Sequence, residues 1–518
     1  MAVHDHPPRI LLVTPEVTVV PQGMGPGSHA ITARAGGLGD ICAAQIHALY
    51  ERDVDVHLAL PNYRNVFKIN AQRMPGIDIR RRRREIPRNR IHLAQDRSFY
   101  YHPKLFLAVN EDTIRISLAF QREVIHRIIP EVKPDLIHCH DWMTGLIPAM
   151  ARQVGIPCLF TLYRLDSPQL LLATIEERGI DAASFWQHCF YSRMPVNYEE
   201  TRGSNPVDLL TSGVFAAQSV VTLSETYQKA LMDAGDVPIP CGLRTELASK
   251  LRAGRLCAMA PAPDTSFDPS GDRALMRSYG PENHPAGKLF NKLHLQEISG
   301  LCMDSTAPVC FWPTRLEGAR PGCRLMADSL AAILERYREQ RLQVVFVADG
   351  DFQAYLRALI DSLHAANRAA VCDFDARRYR LAYAGSDFVL MPLRRDPVGL
   401  PCKIGQRYGS LPIAYDGGAI HDCVARLDPA ADCGSGFLFE HFDQQGFMWA
   451  LDQAMAFYRQ PVDIRARQVR RIMADSLVKF STAEWGRQVI DWYDRVLEGG
   501  RASASADTGR KSASRAAA

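Results

Sequence analysis

The chain has no apolar run near the roughly 18 residues that a membrane-spanning helix needs. Its first residues, Met1 to Arg9, are polar and lack the hydrophobic core of a secretory leader. It holds 13 cysteines but no C-x-x-C pair and no Cys/His cluster at metal spacing. An odd, scattered set does not make a disulfide scaffold. It reads as buried or free thiols in a reducing compartment, so the expected location is the cytoplasm. Charge of one sign is also scarce. The 61 Lys+Arg against 57 Asp+Glu leave only +4, which argues for neither nucleic acid nor a membrane as partner. No G-x-G-x-x-G and no Walker pattern occurs, which disfavours a classical dinucleotide site or P-loop.

What is present is ordinary globular composition, 47% hydrophobic and 23% charged, over 518 residues. That length allows two or three domains. Short apolar runs at Ile10–Pro15, Val54–Pro61, Leu136–His140, Cys158–Tyr163 and Ser219–Ser224 predict buried strands in the first half. Val309–Thr314, Gln343–Asp349, Ala370–Phe374, Phe388–Pro392 and Leu411–Asp416 do the same in the second. Helical patterns such as Asp40–Glu51, Leu325–Arg338 and Phe352–Ala365 lie between them. This alternation predicts an α/β protein with parallel sheets covered on both faces. Two such series predict two doubly wound domains.

Proline, glycine and aspartate concentrate at Met259–Asp272, which places the join there and gives domains at 1–262 and 263–480. Ser481-Thr482-Ala483-Glu484 fits a capping box. It opens a last helix, expected over 481–499 and packing back on the N-terminal domain. The Ala/Ser/Arg-rich tail, 500–518, is expected to be disordered. Arg80–Arg84 reads as a solvated loop, with contact to an anionic partner as the second reading; no aromatic residue interleaves with it, so a nucleic-acid stacking platform is not indicated.

Three segments carry chemistry. Arg34-Ala35-Gly36-Gly37-Leu38-Gly39-Asp40 leads into a helix. Paired glycines admit a ligand close to the backbone, and helix N-termini attract phosphate. A plain glycine turn is the alternative. Pro134–Trp142 runs off the end of a strand, where ligands of open α/β sheets gather. There Asp141 is the candidate, whereas His138 reads as a core histidine and Trp142 as packing. His138 and His140 point the same way with no further ligand, so zinc is not expected. Arg315 and Arg320, five residues apart past a strand end, suit a leaving diphosphate on which negative charge grows. A solvated basic loop is the alternative.

In this order, the segments resemble the glycogen/starch synthase family. Its K-x-G-G-L-x-D turn is matched with Arg34 for the lysine. Its P-D-x-x-H-x-H-D-W-x-T/S-G run is matched from Pro134 to Gly145. Its F-T-x-H-N segment corresponds to Phe160–Arg164, with Tyr163 for the histidine. Asn291-Lys292-x-x-Leu295-Gln296 matches N-K-x-x-L-Q, and Arg315 to Arg320 matches G-R-L-x-x-Q-K-G with Arg320 for the lysine. Tyr383–Cys402 follows YAGADFxLMPSRFEPCGLxQ, with Asp396 for glutamate, Val398 for cysteine and Cys402 for glutamine. Tyr408-Gly409, Pro412-Ile413 and Gly436-Phe437 continue the match. The likeness spans about residues 9–497 and thins between Asp166 and Asn205.

The resemblance implies two Rossmann-like domains facing across a cleft (the GT-B arrangement) with a C-terminal helix. It implies retaining transfer of glucose to the non-reducing end of an α-1,4-glucan. ADP-glucose is the expected donor and UDP-glucose the second choice. It assigns Asp396, Asp141 and Tyr163 to the catalytic centre. The donor would be bound by Arg34, Gly36, Gly37, Asp40, Arg315, Arg320, Phe374, Gly399, Leu400, Gly417 and Gly418. Phe374 is equally readable as an adenine-stacking aromatic and as a core residue. Asp349-Gly350-Asp351, a pattern that holds a metal in other glycosyltransferases, is read here as a structural turn. No metal, cofactor, nucleic acid or membrane partner is expected. Two alternatives stay open: a non-catalytic homologue that binds glucan or nucleotide sugar, and a two-domain enzyme acting on another nucleotide sugar.

Overall fold

The computed structural model describes residues 7–25, 28–34, 36–67, 89–101, 105, 109–233 and 239–516. The arginine run Arg80–Arg84 lies outside the described residues. The chain divides into two compact units. The first comprises Met1–Leu223, Gln228–Met259 and Ala483–Ala518; the second comprises Ser224–Tyr227 and Ala260–Thr482.

The strands of the first unit are β1 (Arg9–Val13), β2 (Asp55–Pro61), β3 (Ile91–Ala94), β4 (Leu136–His140), β5 (Cys158–Thr161), β6 (Gln169–Leu170), β7 (Val207–Asp208), β8 (Ser219–Thr222) and β9 (Leu256–Ala258). Seven of them form a parallel sheet in the order β3-β2-β1-β4-β5-β8-β9, while β6 and β7 pair separately and antiparallel. The second unit holds β10 (Val309–Trp312), β11 (Gln343–Val347), β12 (Ala369–Cys372), β13 (Phe388–Met391), β14 (Leu411–Tyr415) and β15 (Phe437–Phe439). They form a parallel sheet in the order β12-β11-β10-β13-β14-β15. The central strands β4, β5, β10, β11 and β13 are buried at every residue. This is why they read as unbroken apolar runs and not as alternating ones.

Several expected strands end earlier than their apolar runs. Cys158–Tyr163 leaves the ladder after Thr161, and Gln343–Asp349 leaves after Val347. In each case the residues left over open the loop that carries site chemistry. β3, β9, β15 and the β6–β7 pair were not anticipated; each is only two to four residues long, too short for a periodic signal. The last helix is one element, Thr482–Ala516, and does not stop at Gly499-Gly500. Alanine is the strongest helix former, and the tail is rich in it. Trp485, Val489, Tyr493 and Val496 form its buried stripe at helical spacing within the first unit.

All thirteen cysteines are free thiols. Among the described residues, no helix is long and apolar enough to cross a membrane.

Buried histidines make the first unit sensitive to acid. His138 accepts or donates at Tyr493 Oη (2.7 Å), Gln45 Nε2 (3.0 Å) and Thr161 Oγ1 (2.7 Å), and stacks on His140 with ring centroids 4.3 Å apart. It is the core histidine expected from sequence, and it ties the first helix, β5 and the C-terminal helix to β4. Burial holds His140 down at about 3 and His138 well below the usual imidazole range. Burial likewise holds His57, stacked against His92, at about 4. These groups stay neutral in the fold while the unfolded chain protonates near 6.5. The stability they contribute is therefore complete above pH 6.5 and falls as pH drops toward their folded values, by about 1.4 kcal/mol per unit per histidine. Urea midpoints measured down this range should fall steeply; a flat profile between pH 6.5 and 4 would contradict the burial of these rings.

Candidate active site

Both sheets reverse strand order once, between β1 and β4 in the first unit and between β10 and β13 in the second. Loops leaving the C-terminal ends of strands on either side of such a reversal diverge and leave a crevice for ligands. Glu16 and the glycine turn follow β1, Asp141 follows β4, and Tyr163 and Arg164 follow β5. In the second unit, Arg315–Arg320 follows β10, Asp349–Asp351 β11, Phe374 β12, Asp396 β13, and Gly417-Gly418 β14. Each unit thus lines the productive edge of its own sheet with the residues singled out from sequence.

In the first unit, the helix Gly37–Tyr50 starts at the glycine pair. The Gly36 N–H donates to Glu16 Oε2 at 2.7 Å, so this amide is already bound to an internal carboxylate. A Cβ on Gly37 would come within 2.7 Å of the Tyr163 hydroxyl; the absence of a side chain is what admits Tyr163 to the turn. Asp40 is buried, accepts from Thr18 Oγ1 (2.7 Å) and pairs with Arg34 Nη2 (3.0 Å). It serves as the counter-ion of Arg34.

Asp141 is fully buried with φ at +68°, a conformation that non-glycine residues rarely adopt. Its Oδ1 accepts the Trp142 N–H at 2.9 Å, and its Oδ2 accepts Arg164 Nε at 2.6 Å. Burial acts to lower the Arg164 pKa, but the Asp141 and Glu16 carboxylates outweigh it and hold the guanidinium above its usual value. Asp141 is therefore one half of an ion pair, a partner the sequence reading did not assign. Glu16 and Arg164 are the first-unit residues that reading missed. The signal was a buried acid three residues beyond β1 and an arginine directly after Tyr163.

In the second unit, the motif Asn291-Lys292-x-x-Leu295-Gln296 turns out to be scaffold. Lys292 Nζ pairs with Asp387 Oδ2 at 2.7 Å, and that same oxygen accepts the Val309 N–H at 2.8 Å. The motif clamps the starting ends of β10 and β13, the edge opposite the site loops. The D-x-D turn is also structural. Asp351 Oδ1 accepts the Gly318 N–H (2.9 Å), and Asp349 Oδ1 accepts the Phe374 N–H (3.0 Å). A Cβ on Gly350 would lie 1.8 Å from the Leu316 carbonyl oxygen, so only glycine lets this turn brace the arginine loop. Among the described residues, no group of three or more His, Cys, Asp or Glu is arranged to hold a metal.

Arg315 and Arg320 come together around Glu317: Arg320 Nε lies 2.6 Å from Glu317 Oε2, and Arg315 Nη1 lies 3.5 Å from Oε1. Phe374 is half-buried and tilted against Tyr379 at 5.4 Å, with one part in the core and one part available.

Asp396 folds back on its own loop, where Oδ1 accepts the Val398 N–H (2.9 Å) and the Gly399 N–H (2.5 Å). An aspartate reaches amides two and three residues ahead; the longer glutamate is not suited to that turn. Gly399, with φ at +65°, precedes the helix Leu400–Tyr408, and the Leu400 side chain is buried in the core, leaving only its backbone for a ligand. Gly417 donates its N–H to Tyr415 O at 3.0 Å, inside the turn. Gly418 lets the β14 loop approach the β13 loop, since a Cβ there would meet Asp396 O at 2.7 Å.

The starch synthase catalytic domain family matches residues 9–237. The glycogen synthase of Syntrophotalea carbinolica is 28% identical over 497 residues, covering 90% of this chain and 96% of that one. Glycogen synthase 2 of Geobacter sulfurreducens is 29% identical over 459 residues, covering 82% and 89%. Among solved structures, the catalytic domain of starch synthase IV from Arabidopsis thaliana, bound to ADP and acarbose, superposes with a TM-score of 0.76 at 21% identity. That match covers 95% of this chain and 100% of that one. Anabaena HepE in complex with UDP and glucose gives 0.55 at 13% identity, over 94% and 99%. These likenesses show the GT-B fold. With a starch synthase catalytic domain matched at residues 9–237 and glycogen synthases aligned along most of its length, the chain is similar to the glycogen/starch synthases and is a glycosyltransferase.

Proposed function

We propose that the protein is a retaining glucosyltransferase that extends an α-1,4-glucan from ADP-glucose, with UDP-glucose as the second donor to test. The observation that carries this reading is the pair of guanidinium groups, Arg315 and Arg320, on a braced loop at the strand-order reversal, beside the strand whose loop carries Asp396. The terminal hydroxyl of the glucan attacks the anomeric carbon. The bond from that carbon to the diphosphate oxygen breaks, and its electron pair leaves on the nucleotide, where it is neutralised by the hydroxyl proton and the arginines. Arg34 supports the diphosphate, and Leu400 and Gly418 offer backbone to it. Asp141, Tyr163 and Asp396 orient the sugar and stabilise the positive charge that develops on it. Phe374 offers its exposed face to the adenine. The free thiols support a cytoplasmic location.

A donor panel with glycogen as acceptor tests this: ADP release with chain elongation from ADP-glucose is the expected result. A small glycoside as product would move the enzyme to another nucleotide-sugar reaction. A second reading, a glucan- or nucleotide-sugar-binding scaffold, is favoured by two observations. Asp141 is engaged by Arg164, and Asp396 is engaged by its own loop. Glucan binding without release from any donor would establish it.

A further inference from the structure

The arginine pair is not left open: Glu317 occupies it. One carboxylate oxygen lies 2.6 Å from Arg320 Nε and the other 3.5 Å from Arg315 Nη1. The backbone bearing Glu317 is fixed on both sides. The Leu316 N–H donates to Asp349 O (3.1 Å), and the Phe352 N–H donates to Leu316 O (3.0 Å). The Gly318 N–H donates to Asp351 Oδ1 (2.9 Å), while Gly318 O accepts from Arg324 Nε (2.7 Å). The loop therefore holds Glu317 next to the arginines, yet its side chain stays 34% exposed and able to swing out. A carboxylate and a phosphate oxygen make the same charge-assisted contacts with a guanidinium fork.

Resting on the reading that this pair takes the donor's diphosphate, we propose that Glu317 is a built-in competitor for that diphosphate. It is displaced each time a nucleoside diphosphate or pyrophosphate binds, and it returns when the product leaves. With Glu317 in place the three side chains sum to one positive charge instead of two, so the empty loop attracts stray anions less. The same carboxylate shields the arginines again as the spent nucleotide departs. Exposed ion pairs contribute at most about 1 kcal/mol, which corresponds to a competition of about two- to fivefold in affinity.

The test titrates the full-length protein with inorganic pyrophosphate and, separately, with ADP by calorimetry, in the wild type, Glu317→Gln and Arg315→Ala. Glutamine keeps the size and removes the charge, and thermal melting checks that each variant folds. Glu317→Gln is expected to bind both ligands about two- to fivefold more tightly, with the gain shrinking at high salt as screening removes the competition. Arg315→Ala is expected to bind more weakly. Equal or weaker binding by Glu317→Gln, with Arg315→Ala impaired, overturns the proposal and makes Glu317 a support for the arginines. If Arg315→Ala also binds as the wild type does, the assignment of the diphosphate to this loop falls as well.

Discussion

Replacing Asp396 by alanine is expected to lower glucosyl transfer by on the order of 100-fold or more, the scale seen when one charge-stabilising group is removed from a reaction centre. The structure makes the comparison with other substitutions decisive, because the carboxylate does two things. Its Oδ1 holds the Val398 and Gly399 amides at the start of the helix Leu400–Tyr408, and its charge is the one assigned to the sugar. Alanine removes both, with a stability loss of about 1 kcal/mol from the lost turn hydrogen bonds. Asparagine keeps an oxygen for the two amides and removes the charge. Asp396→Asn should therefore melt like the wild type and transfer like the alanine variant. Glutamate is the residue that the resemblance to glycogen/starch synthases implies at this position, and it places the carboxylate one methylene further out. A displacement of about 1 Å can change a rate roughly 100-fold. Asp396→Glu is expected to preserve or raise transfer while losing the short turn and about 1 kcal/mol of stability. Initial rates of ADP release with glycogen, measured beside thermal melts, separate the two roles. An alanine variant as active as the wild type would remove Asp396 from the site.

Arg164→Met is expected to destabilise the first unit by about 3 kcal/mol, because it strands a buried carboxylate. Asp141 is fully buried, and Arg164 Nε is the cation at 2.6 Å on its Oδ2. Only the Trp142 N–H on Oδ1 would remain among its side-chain contacts. The Arg164 side chain is 23% exposed, so water can reach part of the vacated space and hold the loss below the upper end of the range. Adding Asp141→Asn to Arg164→Met removes one of the two carboxylate charges that Arg164 offsets, leaving Glu16, and should recover part of the stability. Urea midpoints of the two single variants and the double variant give the coupling directly. If Arg164→Met unfolds at the wild-type midpoint, the ion pair is not what holds Asp141 in its left-handed conformation. Transfer activity in the double variant has a further use. Activity retained there would mean that the Asp141 charge serves the fold and not the sugar.

Much of this architecture was readable from the chain. The apolar runs marked ten of the main sheet strands, because a strand covered on both faces needs several consecutive apolar residues. The loops worth inspecting were those that followed them. Arg315, Arg320, Asp396 and the glycine pairs all lie where that reasoning put them, beyond the C-terminal ends of strands. The D-x-D turn was legible as scaffold because it follows a strand as the family's G-x-G-D turn does, and His138 was legible as a core residue on a buried strand. Other candidates have partners inside the protein. Asp40 is a buried counter-ion, the Gly36 and Gly417 amides are already hydrogen-bonded, and Leu400 is a core side chain. Motif matching identifies a position but not the direction in which its polar atoms are used.

The sequence by itself determined which residues stand at which strand ends, because strand period, turn chemistry and the order of motifs are properties of short stretches of chain. Only the tertiary structure decided which group answers which. Glu16 meets an amide 20 residues away, Arg164 meets Asp141 across 23, and Tyr493 meets His138 across 355. Those partnerships depend on the order in which strands lie side by side and on where the final helix packs. That order is set by the packing of the whole sheet, and no local window of sequence contains it.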